Sequence, residues 1–123
     1  MEAKHLHRLT LILSLNELRV FLYIWKWTGA LGRGDVILTY DEFSNGRKRK
    51  KTNQKERLDD GCGIRHKKEI IIAVRNLREK GFLRIRTNTR DKARIKKKYG
   101  ITCYDSDGLF LPHRTGKLFQ GTR

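Results

Sequence analysis

Residues 63–83, GIRHKKEIIIAVRNLREKGFL, decide how the rest of the chain is read. Ile70, Ala73, Val74 and Leu77 recur at helical spacing and fall on one face. Gly81 supplies the left-handed residue that ends helices, and Phe82 and Leu83 open an extended segment. At about 100° per residue, Lys68, Ile71, Ile72, Arg75 and Glu79 point away from the apolar face. The stretch therefore predicts a helix over residues 66–80 with an inward seam and a basic outer side. Such a helix suits a groove lined by phosphates, because its back stays attached to the domain while its front reaches out. An ordinary amphipathic helix with a solvated basic face has the same pattern, so the flanking sequence has to arbitrate.

The whole chain is strongly basic. Its 123 residues fit one modest domain with some surplus for arms or loops. Lys and Arg number 29 against 13 Asp and Glu, a formal net charge of +16. Self-repulsion of that size points to a polyanionic partner, nucleic acid first and a membrane surface second. No run approaches the roughly 18 uninterrupted apolar residues of a spanning helix. Residues 18–27 come nearest and are broken by Arg19 and Lys26. The N-terminus carries no charged-then-apolar signal sequence, so a cytoplasmic location is expected. Cys62 and Cys103 are too few to scaffold the domain, in keeping with a reducing compartment.

Outward from the opening stretch, the chain divides into an N-terminal arm (1–13), a central domain (14–105) and a C-terminal tail (106–123). In the arm, Leu9, Leu11 and Leu13 alternate as in a strand, while Leu6, Leu9, Ile12 and Leu13 equally suit a helix. Ser14 and Glu17 have capping-box spacing and predict a helix over 15–28, its main seam Leu15, Leu18, Phe21, Leu22 and Trp25. Val20, Ile24 and Trp27 widen that apolar surface, so this is the expected core helix. A glycine-rich loop leads to a short strand over 36–38. Thr39 and Glu42 repeat the capping box and predict a short helix over 40–45. Residues 47–57, RKRKKTNQKER, hold seven basic residues and one acidic, too charged to fold alone. A strand over 82–88, a turn over 89–93 and a returning strand over 94–102 make a basic hairpin directly after the 66–80 helix.

Three patches carry a resemblance: LTYDEFSNGRKR (38–49), DDGCGI (59–64) and the helix ending LREKGFL (77–83). With the order core helix, strand, short helix, basic loop, basic helix and basic hairpin, the chain resembles the winged helix-turn-helix family over roughly residues 9–103. Within it, the chain is similar to small winged-helix proteins of phage and plasmid replication initiation and related regulators. The resemblance implies an α+β fold, a three-helix core with a β-hairpin wing. It also implies a DNA-binding role in replication initiation or transcription regulation, with nucleoid, phage or plasmid DNA as its setting. Two departures stand out. Arg65 and His66 occupy the helix start where a Ser or Thr is usual, and about one extra residue follows Gly63.

On this reading Lys68 and Arg75 donate to guanine edges, and Ile71 or Ile72 meets a thymine methyl. Phosphates fall to Arg47, Lys48, Arg49, Lys50 and Lys51 of the loop, to Arg65, Lys67 and Arg78 of the helix, and to Arg90, Lys92, Arg94, Lys96, Lys97 and Lys98 of the hairpin. The partner is double-stranded DNA; a protein partner on the tail and a homodimer are left open, and no membrane is implied. Enzymatic activity is not expected: His5, His7, His66 and His113 are scattered without a nucleophile–base pattern. Asp59 and Asp60 beside glycines suit a turn better than a metal site. Neither cysteine has a metal-ligand companion, so no cofactor or metal is expected. The rival readings are an RNA-binding subunit of a ribonucleoprotein and an adaptor in a replication or transposition machine.

Overall fold

A computed structural model of the chain describes residues 3–29, 34–48, 57–88 and 96–102. Among these residues lie four helices and three strands: α1 (Ala3–Ile12), α2 (Leu15–Trp27), β1 (Asp35–Ile37), α3 (Tyr40–Asn45), α4 (Lys67–Glu79), β2 (Leu83–Asn88) and β3 (Lys96–Ile101). The chain is α+β, its strands forming one antiparallel sheet in the order β1-β3-β2. The predicted hairpin is β2–β3, with Ile85 opposite Tyr99 and Arg86 opposite Lys98. β1 joins its far side, placing Val36 opposite Tyr99. Its tip, most of the basic loop (49–56) and residues 103–123 lie outside the described residues. No helix among the described residues is long and apolar enough to cross a membrane.

Both capping boxes form. The Ser14 hydroxyl accepts from the Glu17 N–H and the Glu17 carboxylate accepts from the Ser14 N–H, at 3.2 and 3.1 Å. Thr39 and Glu42 repeat the exchange at the start of α3. The end of α4 is a Schellman turn: the Phe82 N–H reaches the Leu77 carbonyl and the Gly81 N–H the Arg78 carbonyl. Gly81 makes it possible with φ +84°, a conformation that a Cβ would strain.

The core is closed by α2, α4 and the inner face of the sheet. Phe21, Ile24, Phe43, Ile70, Leu77 and Phe82 are fully buried. Phe21 meets Phe82 edge-on with ring centres 5.9 Å apart, and Phe43 meets Tyr99 the same way at 5.3 Å. The predicted inner face of α4, Ile70, Ala73, Val74 and Leu77, is the buried one.

Several boundaries and faces differ from the expectation. The 1–13 arm is largely helix α1, and its Leu9 and Leu13 belong to the core cluster, because Leu9, Ile12 and Leu13 form one apolar face that needs cover. The core seam of α2 is turned: Leu15 is 62% exposed, whereas Val20, Phe21, Tyr23 and Ile24 are buried. Glu17 also turns inward, which sequence hydrophobicity does not anticipate. β1 starts at Asp35, one residue earlier than predicted. On the outer sheet face, Arg84 crosses Gly100 to pair with Asp35 at 2.7 Å. A Cβ at Gly100 would collide with both side chains, so the glycine leaves room for the ion pair.

Candidate nucleic-acid interface

α4 presents the predicted outer face. Lys68, Arg75, Arg78 and Glu79 are exposed, and Ile71 and Ile72 are 37% and 39% exposed beside them. The two isoleucines flank the line of Lys68 and Arg75 on the helix surface, and Ile72 also borders α2 beside Glu17 and Asn76. At the start of α4, His66 occupies the cap position without a side-chain hydrogen bond, as the missing Ser or Thr implies.

Beside the first turn of α4 is an open cleft of about 530 Å³, walled by Thr39, Tyr40, Asp41, Asn45, Arg65 and Lys67 together with Ser44. Tyr40 organises it. The Lys97 ammonium donates to the Tyr40 hydroxyl at 3.0 Å and lies 5.3 Å from the ring centre, while the Lys67 ammonium lies 5.4 Å from the same centre. The short helix α3 thus brings the start of α4 together with the middle of β3. Behind it, burial and then the neighbouring Tyr40 hydroxyl push the Tyr99 phenol above its ordinary pKa. Asp41, the carboxylate in the cleft wall, accepts from Asn45 at 2.8 Å and Arg57 at 2.9 Å, with Lys48 at 3.8 Å. The hydrogen bonds from Asn45 and Arg57 hold its carboxyl below the ordinary range.

The same contacts gather the ends of the basic loop. Lys48 and Arg57 pair across an antiparallel bridge, the Leu58 N–H donates to the Arg47 carbonyl, and Arg57 donates to the Gly46 carbonyl. Below this neck, Asp59 accepts from Tyr23 Oη (2.9 Å), Trp27 Nε1 (2.9 Å), Lys26 Nζ (3.1 Å) and the Gly61 N–H (2.9 Å). Burial raises its carboxyl, but the Gly61 N–H, Lys26 and Tyr23 outweigh it and the pKa falls below the ordinary value. Gly61, at φ +85°, lies so close under α3 that a Cβ would strike the Phe43 and Ser44 backbone.

The predicted contact residues therefore divide. Lys68, Ile71, Ile72, Arg75 and Arg78 share the outer side of α4, Arg65 and Lys67 line the cleft, and Lys97 is bonded to the Tyr40 that walls it. Lys98 is exposed on the outer sheet face, the side of Arg84 and Arg86. Lys48 is exposed but paired with Asp41. Arg47 is engaged internally: its guanidinium lies 4.7 Å from the Trp27 ring centre and its N–H donates to Asp59. Arg49, Lys50, Lys51, Arg90, Lys92 and Arg94 lie outside the described residues, as does the Lys96 side chain. Cys62 is buried, and burial pushes its thiol up. Among the described residues no group of His, Cys, Asp and Glu could hold a metal ion.

Tyr40 and Asp59 escaped the sequence reading as organising residues. The turn role of Asp59 was legible from Asp-x-Gly; its bonds to Tyr23, Lys26 and Trp27 join segments more than thirty residues apart. Nothing local marks Tyr40 as the meeting point of Lys67 and Lys97. Comparison with family models, curated proteins and solved structures gives no match.

Proposed function

We propose that this chain is a winged helix-turn-helix protein that binds duplex DNA and has no enzymatic activity. In this reading α4 is the recognition helix in the major groove, β2–β3 is the wing, and the basic residues between Lys48 and Arg57 add phosphate contacts. The observation that carries it is the division of α4. Ile70 and Leu77 are fully buried, while the exposed side chains of Lys68, Arg75 and Arg78 on the other faces have no hydrogen-bond or ion-pair partner among the described residues. Tyr40, Lys67 and Lys97 extend the cationic surface from the helix to the sheet.

The sheet order supports the same reading, because β1 ties the hairpin that follows α4 back to the body. So does the use of acidic residues. Glu17, Asp35, Asp41, Glu42 and Asp59 accept internal hydrogen bonds, so much of the negative charge is engaged within the fold. Arg75 and Lys68 would read bases, Ile71 or Ile72 a thymine methyl, and Arg65, Lys67, Arg78, Lys97 and Lys98 would hold phosphates. Replication initiation or transcription regulation on nucleoid, phage or plasmid DNA is the setting that the family resemblance implies.

A competition assay among duplex DNA, duplex RNA and single strands tests the proposal, followed by selection from a random duplex pool. Preference for duplex DNA with a recoverable consensus is expected. Preference for duplex RNA would replace it with recognition of shape and 2′-hydroxyls. Duplex binding without consensus would leave charge and shape as the basis.

A further inference from the structure

Lys67 and Lys97 each place an ammonium group against one ring, that of Tyr40, and Arg65, Lys67 and that ring line one cleft. Like charges gathered this way repel, and the ring offsets only part of that. The carboxylate in the wall, Asp41, already serves Asn45, Arg57 and Lys48. We infer that the cleft between α3 and the first turn of α4 seats a single backbone phosphate, held by Lys67, Lys97 and Arg65, with Tyr40 as the positioning residue. The inference rests on the duplex reading above for the source of the phosphate.

The convergence distinguishes this place from the rest of the basic surface. Lys68, Arg78 and Lys98 are exposed chains without a described anchor. Lys97, by contrast, is half-buried and fixed by its hydrogen bond to the Tyr40 hydroxyl. Both ammonium groups share one ring, whereas Lys68, Arg78 and Lys98 share none among the described residues. A phosphate bound there would fix how far along the groove the outer face of α4 lies, and so which bases Lys68 and Arg75 meet. At about 530 Å³ the open cleft has room for the sugars flanking that phosphate.

The first test needs no nucleic acid. In a nuclear magnetic resonance titration of the full chain with inorganic phosphate at constant ionic strength, signals of Tyr40, Lys67 and Lys97 should shift saturably. Lys97→Met should weaken that binding about tenfold, the scale of one lost charge-assisted hydrogen bond. Tyr40→Phe, which keeps the ring, should weaken it less, and unchanged thermal midpoints show that both variants fold. Shifts that are linear, or equal in chloride, overturn the seat.

The second test replaces the phosphates of a bound duplex one at a time by uncharged methylphosphonates. Affinity should drop sharply at one position, and that sensitivity should vanish in both Lys67→Met and Lys97→Met. Sensitivity lost at different positions in the two variants overturns the shared seat. Saturable phosphate binding by a protein that binds no duplex would overturn the duplex reading while supporting the seat.

Discussion

The two flanks of α4 share one helix and one buried face, yet their chemistry is opposite. On one flank Asn76 donates to Glu17 at 3.1 Å, and Lys80, just beyond the helix end, donates to Glu17 at 2.6 Å. Glu17 itself is only 5% exposed. Every charge in that cluster has a partner inside the protein. On the other flank Lys67 and Lys97 both lie against the Tyr40 ring, and the nearby carboxylate is already engaged elsewhere. Charge on this helix does two jobs. Where a carboxylate is available, the cations lock α4 to α2; where none is, they remain available to an outside anion.

Both flanks depend on the buried face of α4. Leu77→Ala should cost about 2–5 kcal/mol by leaving a cavity under the helix. Denaturant unfolding reads it, and a loss below about 1 kcal/mol, the scale of surface changes, would mean that the inner face is misassigned.

Glu17→Gln should break only the sealed flank, at about 1–3 kcal/mol, since Lys80 loses its ionic acceptor. Phosphate and duplex binding by the folded fraction should be unchanged. The same variant should alter the acid limb of stability. Burial raises the Glu17 carboxyl, but the hydrogen bonds from Lys80, Ser14 and Asn76 and the Lys80 charge outweigh it, so its pKa is depressed. A depressed carboxyl contributes fully above its ordinary value of 4.5 and loses that contribution as pH falls through the lower folded-state value. Thermal midpoints of the wild type should therefore fall below that pH more steeply than those of Glu17→Gln. Parallel curves would show that the buried carboxylate does not set the acid limb.

Arg75→Ala sharpens the comparison from the outer face. Stability should hold within about 0.5 kcal/mol, as for a surface change. Preference for the selected site over random duplex should fall by about 1–3 kcal/mol if the guanidinium makes a bidentate guanine contact. Equal losses on specific and random duplex would reassign Arg75 to the backbone. The smallest expected effect is that of Arg78→Ala. It should weaken all duplexes alike and flatten the slope of log affinity against log salt by about 0.9, one phosphate contact. An unchanged slope would take Arg78 out of the interface.

Much of this fold was legible locally. Ser14-x-x-Glu17 and Thr39-x-x-Glu42 announced two helix starts because a capping box closes within four residues. The spacing of Ile70, Ala73, Val74 and Leu77 announced the face of α4, and Gly81 its end. These signals depend on backbone geometry over one or two turns, which neighbouring residues set. The basic outer face of α4 was legible for the same reason, as the complement of its apolar one.

Tertiary structure alone decided the rest. Leu15 looked like core and is exposed; Glu17 read as a cap partner, which it is, and is also buried. The position of α4 decides the burial of Glu17, because Asn76 and Lys80 satisfy the carboxylate that a hydrophobic pattern would place in water. Asp59 read as a turn former and also ties Tyr23, Lys26 and Trp27 of α2 to the neck of the basic loop. Tyr40 read as the first residue of a short helix, yet it joins Lys67 to Lys97. Sequence spacing carries helix faces and caps; it carries no record of which distant cations share a ring or a carboxylate, since those meetings exist only after the sheet and helices pack.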